Sequence, residues 1–201
     1  MEAKRITIFG DSITWGKADN EFGGWVNRLR CYCDEMYNYD VEIYNVGVSG
    51  DTTDDILQRF DGEATARNRK PQRFVFAIGI NDSYYDNTEE NPKVPIKRFE
   101  KNLQKIIAKA KNFSKNIVFI GATNVDESQM PRKGVKIWKN DRIQKYNEII
   151  KKVCDENGIP FLELFGIIDH AELPDGLHPN AKGHEKMFQK IKGFLQKEKI
   201  I

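Results

Sequence analysis

Apolar residues along this chain gather into short continuous runs. Between the runs lie longer stretches in which apolar residues recur every three or four positions. Four runs stand out, at 6–9, 41–46, 74–80 and 117–120, with a weaker fifth at 159–164. Continuous rather than alternating runs predict strands covered on both faces, as in a parallel sheet. The intervening stretches follow the helical period. Ile96, Phe99, Leu103, Ile106, Ile107 and Ala110 share one face, with lysines elsewhere. Ile143, Tyr146, Ile150 and Val153 form a second face, and Ala181, His184, Met187, Phe188, Ile191 and Leu195 a third. The second pattern stops at Asn157-Gly158 with Pro160 beyond it, because glycine accepts a left-handed cap and proline cannot continue a helix. Strand and helix alternate about five times. The expected fold class is therefore α/β: a three-layer, flavodoxin-like parallel sheet of about five strands with helices on both faces. No internal repeat or low-complexity tract interrupts the pattern, and residues 1–201 read as one domain.

Composition narrows the function classes. The chain carries 32 basic and 30 acidic residues for a formal net charge of +2, so no global field favours nucleic acid as a partner. No apolar run approaches the ~20 residues of a membrane span. The first strand starts so close to Met1 that a signal peptide has no room, and the expected location is cytoplasmic. Three cysteines make no disulfide framework. Cys31 and Cys33, two apart in a helical pattern, point in different directions with no histidine nearby, so neither a metal site nor a metal cofactor is expected. The oligomeric state is not set by the sequence.

Candidate chemistry sits where strands end, since ligand crevices of open α/β sheets lie outside the carboxyl ends of their strands. Gly10-Asp11-Ser12-Ile13 follows the first run and offers a hydroxyl nucleophile, although Gly-Asp-Ser is also an ordinary turn. Val48-Ser49-Gly50-Asp51-Thr52 follows the second. Its glycine lets backbone N–H approach a ligand, while Asp51 or a threonine could simply cap a helix. Gly79-Ile80-Asn81-Asp82 closes the third run, and Asn81 can donate a neutral side-chain N–H to a developing oxyanion. Asp175-Gly176-Leu177-His178-Pro179 precedes the last helix. An aspartate three residues before a histidine can accept from one ring nitrogen while the other faces a serine. Each element alone has an ordinary structural reading; their joint placement at successive strand ends is what points to catalysis. Two long polar loops, 81–95 and 123–139, flank the expected crevice.

The joint pattern resembles the SGNH hydrolases, or GDSL lipase/esterase family, from Gly10 to His178. The first block is Gly10-Asp11-Ser12-Ile13, the second block's glycine is Gly50, the third block is Gly79 through Asp82, and the last is Asp175 through His178. The resemblance implies that Ser12 attacks, that His178 acts as base and then acid, and that Asp175 supports it. It also implies an oxyanion hole of the Ser12 and Gly50 backbone N–H groups with the Asn81 side chain, and no cofactor. The α/β-hydrolase signature Gly-x-Ser-x-Gly is absent, since Thr14 stands where its second glycine belongs. Of the other histidines, His184 falls on an apolar helix face and is expected to pack, and His170 is expected to be solvated. Trp15, Tyr84, Tyr85 and Trp138 are candidate substrate-binding residues. Arg132, Lys133 and Lys136 would suit an anionic substrate or simply a solvated loop. The expected activity is hydrolysis of a small-molecule carboxylic ester, with short acyl groups favoured because the flanking loops are polar. Carbohydrate O-deacetylation and acyl thioester or lysophospholipid hydrolysis are alternatives. A non-catalytic flavodoxin-like binding module is the alternative outside enzymes, but it leaves Ser12, Gly50 and the Asp175/His178 pair without a role.

Overall fold

The first apolar run forms β1 (Lys4–Gly10), a strand paired on both sides. The computed structural model describes residues 4–68, 71–86 and 92–201. After β1 come the single-turn α1 (Ser12–Trp15), α2 (Trp25–Met36), β2 (Val41–Gly47), α3 (Thr53–Ala66) and β3 (Gln72–Ala77). They are followed by β4 (Tyr85–Asp86), α4 (Ile96–Lys111), β5 (Ile117–Ile120) and β6 (Lys136–Ile137). The chain closes with α5 (Asn140–Asn157), β7 (Phe161–Leu162) and α6 (Ala181–Lys197). The main sheet has the order β2-β1-β3-β5-β7, with every neighbouring pair parallel. That is the doubly wound arrangement, in which the order reverses next to β1 and opens a crevice at the carboxyl ends.

Side chains of the inner strands alternate between two cores, which explains the continuous apolar segments of β1, β3 and β5; β2, on the sheet edge, is only half-buried and carries Glu42 and Asn45. Ile6, Ile8, Val75, Val118 and Ile120 enter one core with Trp25 and Leu29 of α2 and Met187, Ile191 and Leu195 of α6. Phe9, Phe74, Phe76, Ile117 and Phe119 enter the other, against Phe60 of α3, Phe99 and Leu103 of α4 and Ile150 of α5. Rings dominate this second layer: Phe9 stacks on Phe76 at 5.3 Å between centroids, and Phe76 on Phe119 at 4.8 Å. The helical faces read from the period therefore bury as expected, except at Ile96, the first residue of α4, which lies beyond the packed face and is 37% exposed. α5 ends at Gly158, which holds φ +63. Cys33 and Cys154 are buried, and desolvation pushes both thiols up to about 12; Cys31 is exposed.

Three details depart from the sequence expectation. The third strand stops at Ala77 rather than residue 80, because Gly79 turns with φ +129. Ile78 and Ile80 stay apolar because each is buried in one of the two cores beneath the loop. The fifth run pairs only at Phe161 and Leu162, on the sheet edge, while Ile159 and Leu164 are buried off the ladder. The two long loops also meet, since β4 and β6 form a small antiparallel pair outside the main sheet. Residues 87–91 of the first loop lie outside the described residues. Among the described residues, no helix is long and apolar enough to cross a membrane.

Candidate active site

Ser12 owes its position to a sharp reversal at the end of β1. A Cβ on Gly10 would meet Thr14 Oγ1 at 2.1 Å and the Ala77 carbonyl at 2.6 Å, so only glycine lets α1 fold back against the strand end. Asp11 caps α1 by accepting the Ile13 N–H at 2.9 Å, which sets Ser12 as the first helical residue. Burial raises the Asp11 carboxyl to about 7, helped by the nearby charge of Asp51. Asp51 in turn accepts from Arg59 Nε at 2.7 Å, and Arg59 also donates to the Gly10 carbonyl at 3.3 Å.

The loop after β2 is fixed to the loop after β3. Asp82 is fully buried and accepts from the Thr53 N–H at 3.0 Å and from Thr53 Oγ1 at 2.5 Å. Asn81 Nδ2 donates to the Asp51 carbonyl at 3.1 Å. Between these ties stands Gly50 with φ +93; a Cβ there would meet nothing within 4 Å, so handedness rather than space calls for glycine. Among the described residues the Ser12 and Gly50 amides donate to no protein acceptor. Ser12, Gly50 and Asn81 all line one cleft.

His178 reaches the same cleft from the turn before α6, whose N-cap Asn180 accepts the Gly183 N–H at 3.1 Å. His178 is 2% exposed. Its Nε2 lies 2.8 Å from Ser12 Oγ, and its Nδ1 lies 2.8 Å from Asp175 Oδ2. The other Asp175 oxygen accepts the backbone N–H of Leu177 at 3.1 Å and of His178 at 2.8 Å, which closes the turn. Arg132 also binds Asp175, with Nη2 on Oδ2 and Nε on the carbonyl at 3.2 Å. Burial works to raise the Asp175 carboxyl, but the His178 ring and backbone N–H groups outweigh it and hold the group at about 2. Burial lowers the His178 pKa below its ordinary 6.5; Asp175 opposes this, and the charges of Arg132 and Lys17 add to it. A neutral imidazole here can take the Ser12 proton at Nε2 while Asp175 holds the Nδ1–H tautomer.

The cleft has a volume of about 180 Å³ and is also walled by Lys17, Ser49, Arg132, Lys133, Lys136, Trp138 and Leu177. Of the four aromatic candidates, only Trp138 lines it. Its indole N–H donates to the Ile80 carbonyl at 3.0 Å. Tyr84 packs behind it, with centroids 5.0 Å apart, and is 4% exposed. Tyr85 is buried with its hydroxyl on Arg142, so both tyrosines are packing groups rather than cleft walls. Trp15 is 58% exposed and off the cleft: it ends the single-turn α1, whose buried residues are Ser12, Ile13 and Thr14. His170 is largely exposed, 3.5 Å from Asp126. His184 is buried as expected, yet both ring nitrogens are engaged, Nδ1 by the Trp25 N–H at 3.2 Å and Nε2 by the Lys17 carbonyl at 3.1 Å. Lys17 and the Arg132–Asp175 contact gave no sequence signal, since each depends on how a loop is folded.

A doubly wound parallel sheet with a serine, a histidine and an aspartate hydrogen-bonded in series at its carboxyl edge defines a class, the flavodoxin-like α/β ester hydrolases. Within that class, the GDSL-like Lipase/Acylhydrolase family matches residues 8–186, and this chain belongs to that family of carboxylic ester hydrolases. A multidomain esterase of Ruminococcus flavefaciens is 26% identical over 239 residues, covering 96% of this chain and 29% of that much longer protein. The isoamyl acetate-hydrolyzing esterase 1 homolog of Homo sapiens is 26% identical over 216 residues, covering 96% of this chain and 82% of its own length. Among solved structures, an acetylxylan esterase from Geobacillus stearothermophilus superposes with a TM-score of 0.76 at 20% identity, over 98% of this chain and 94% of that one.

Proposed function

We propose that this esterase cleaves carboxylic esters with short acyl groups on polar alcohols, through an acyl-enzyme on Ser12. The observation that carries this reading is the Asp175–His178–Ser12 hydrogen-bonded series, with both links at 2.8 Å, opening onto the cleft that Gly50 and Asn81 share. Ser12 Oγ attacks the ester carbonyl carbon as His178 Nε2 takes its proton, and the carbonyl oxygen gains the charge. The unengaged amides of Ser12 and Gly50 and the Asn81 Nδ2 group stabilise that oxyanion. His178 then protonates the departing alcohol oxygen, and water repeats the sequence to release the acid. Among the described residues, Trp138 and Leu177 are the apolar side chains that wall the cleft, little with which to cover a long alkyl tail, of which each buried methylene contributes about 0.8 kcal/mol. The acetyl esters in the names of two relatives point the same way. The test is kcat/KM on p-nitrophenyl esters from acetate to palmitate, kept below micelle formation. The expected maximum is at acetate or propionate; a steady climb through octanoate would contradict the short-acyl reading.

A further inference from the structure

The cleft beside Ser12 carries a charge that ester hydrolysis by itself does not require. Lys17, Arg132, Lys133 and Lys136 line it, and among the described residues no carboxylate does. The chain as a whole is nearly balanced, 32 basic against 30 acidic residues, so the excess is local. Elsewhere the basic side chains commonly sit on carboxylates: Arg28 on Asp19, Arg59 on Asp51, Lys186 on Glu172. Around the cleft the pattern differs. Arg132 is matched by Asp175, which lies behind His178. Lys17 and Lys133 form no ion pair among the described residues. The Lys136 ammonium rests 4.5 Å from the centroid of the Tyr84 ring, a contact that holds its position and leaves its charge intact. Among the described residues, Lys17, Lys133 and Lys136 therefore face the cleft without an ion-pair partner.

Their placement also says which end of the ester they meet. The alcohol oxygen must lie within reach of His178 Nε2, the atom that protonates it, while the acyl oxygen lies toward Gly50 and Asn81. Arg132 binds Asp175, the partner of His178, and Lys133 is its neighbour in the chain. Lys17 is anchored to the same region through His184, which binds its carbonyl. An alcohol leaving past His178 thus moves toward Lys17 and Lys133, with Lys136 on the wall of the same cleft.

Resting on the ester-hydrolase reading above, we propose that the substrates bear an anionic group (carboxylate, sulfate or phosphate) on their alcohol portion, held by Lys17, Lys133 and Lys136. The test compares 4-acetoxybenzoate, 4-sulfophenyl acetate and 4-acetoxyphenyl phosphate with neutral 4-acetoxybenzamide and cationic 4-acetoxyphenyl-trimethylammonium, each rate normalised to its hydroxide-catalysed rate. At about 20 mM ionic strength kcat/KM for the anions should exceed the neutral ester by about tenfold and the cation by more. The ratio should shrink toward one by about 0.5 M salt, as expected of partly exposed charges. In K17Q/K133Q the anion-to-neutral ratio should fall at least about threefold. A preference for one of the three anions supports the proposal and narrows its class. Equal turnover of neutral, cationic and anionic acetates at low salt overturns the substrate class and leaves the hydrolase reading standing. A preference only for an anion on the acyl side, phenyl hemisuccinate over phenyl butyrate, overturns it as well. No turnover of any ester overturns the hydrolase reading and this proposal with it.

Discussion

Asp175 Oδ2 serves both the Arg132 guanidinium and the His178 ring, and this shared oxygen links a loop residue to the base. Because burial and the Arg132 and Lys17 charges lower the His178 pKa, the imidazole stays neutral below the ordinary 6.5. The acid limb of kcat/KM should therefore centre below that value. Replacing Arg132 by Gln removes a positive charge beside the ring, so the ring binds its proton more readily and the limb moves to higher pH. Arg132→Lys retains the charge and should restore the wild-type limb. A limb that stays put in Arg132→Gln would show that the contact is only structural. Asn81→Ala removes one oxyanion donor and should lower kcat about 10²–10³-fold with a smaller change in KM. Near-normal kcat in folded Asn81→Ala would contradict its role. At this scale the shared placement of Ser12, Gly50, Asn81, Asp175 and His178 was legible in the sequence, because each lies in a short motif at a fixed distance from a strand or helix. It was opaque for Lys17 and for the Arg132–Asp175 contact, and misleading for Tyr84 and Tyr85, whose rings turn inward against Trp138 and Arg142.

Elements are held around the site by buried polar side chains rather than by apolar packing alone. Asp82 joins the turn after β3 to the first residue of α3, and burial pushes its carboxyl up to about 7 from an ordinary 3.8. The folded state thus binds this proton more tightly than the unfolded state. The stability it contributes is complete below pH ~4 and is lost as pH rises through about 7. Asp82→Asn lacks that dependence, so the Tm of the wild type relative to the variant should fall between pH 5 and pH 8. A constant difference would contradict the burial argument. His184 plays the same part for α6, joining it to the start of α2 and to Lys17. His184→Ala should cost about 2–4 kcal/mol in stability, seen in urea unfolding, through lost packing and two unpaired backbone groups. Its kcat per folded molecule should remain far above that of His178→Ala; an equal loss would reopen the choice of base. The apolar face of α6 was readable from its period, but the two hydrogen bonds were not, since they depend on which backbone groups α2 and Lys17 bring across.

On the scale of the whole molecule, the parallel sheet order β2-β1-β3-β5-β7 explains why residues 12, 50 and 81 meet although long stretches of chain separate them. Each loop leaves the same edge of the sheet, and the turn before α6 returns His178 to it, 2.8 Å from Ser12. The continuous apolar runs of β1, β3 and β5 made this layout readable, because a strand buried on both faces has no polar side. The short strands β4 and β6 leave no signal because two residues carry no period, and the ends of β3 and β7 are not marked in the sequence because the residues beyond them are buried too. The account as a whole rests on Ser12 being the activated nucleophile. The direct measurement is intact mass and peptide mapping after treatment with a p-nitrophenyl alkylphosphonate, for the wild type and for Ser12→Ala. One adduct per chain located on Ser12, with none in Ser12→Ala, is the predicted result. An adduct that maps to another residue, or that persists in Ser12→Ala, would contradict it.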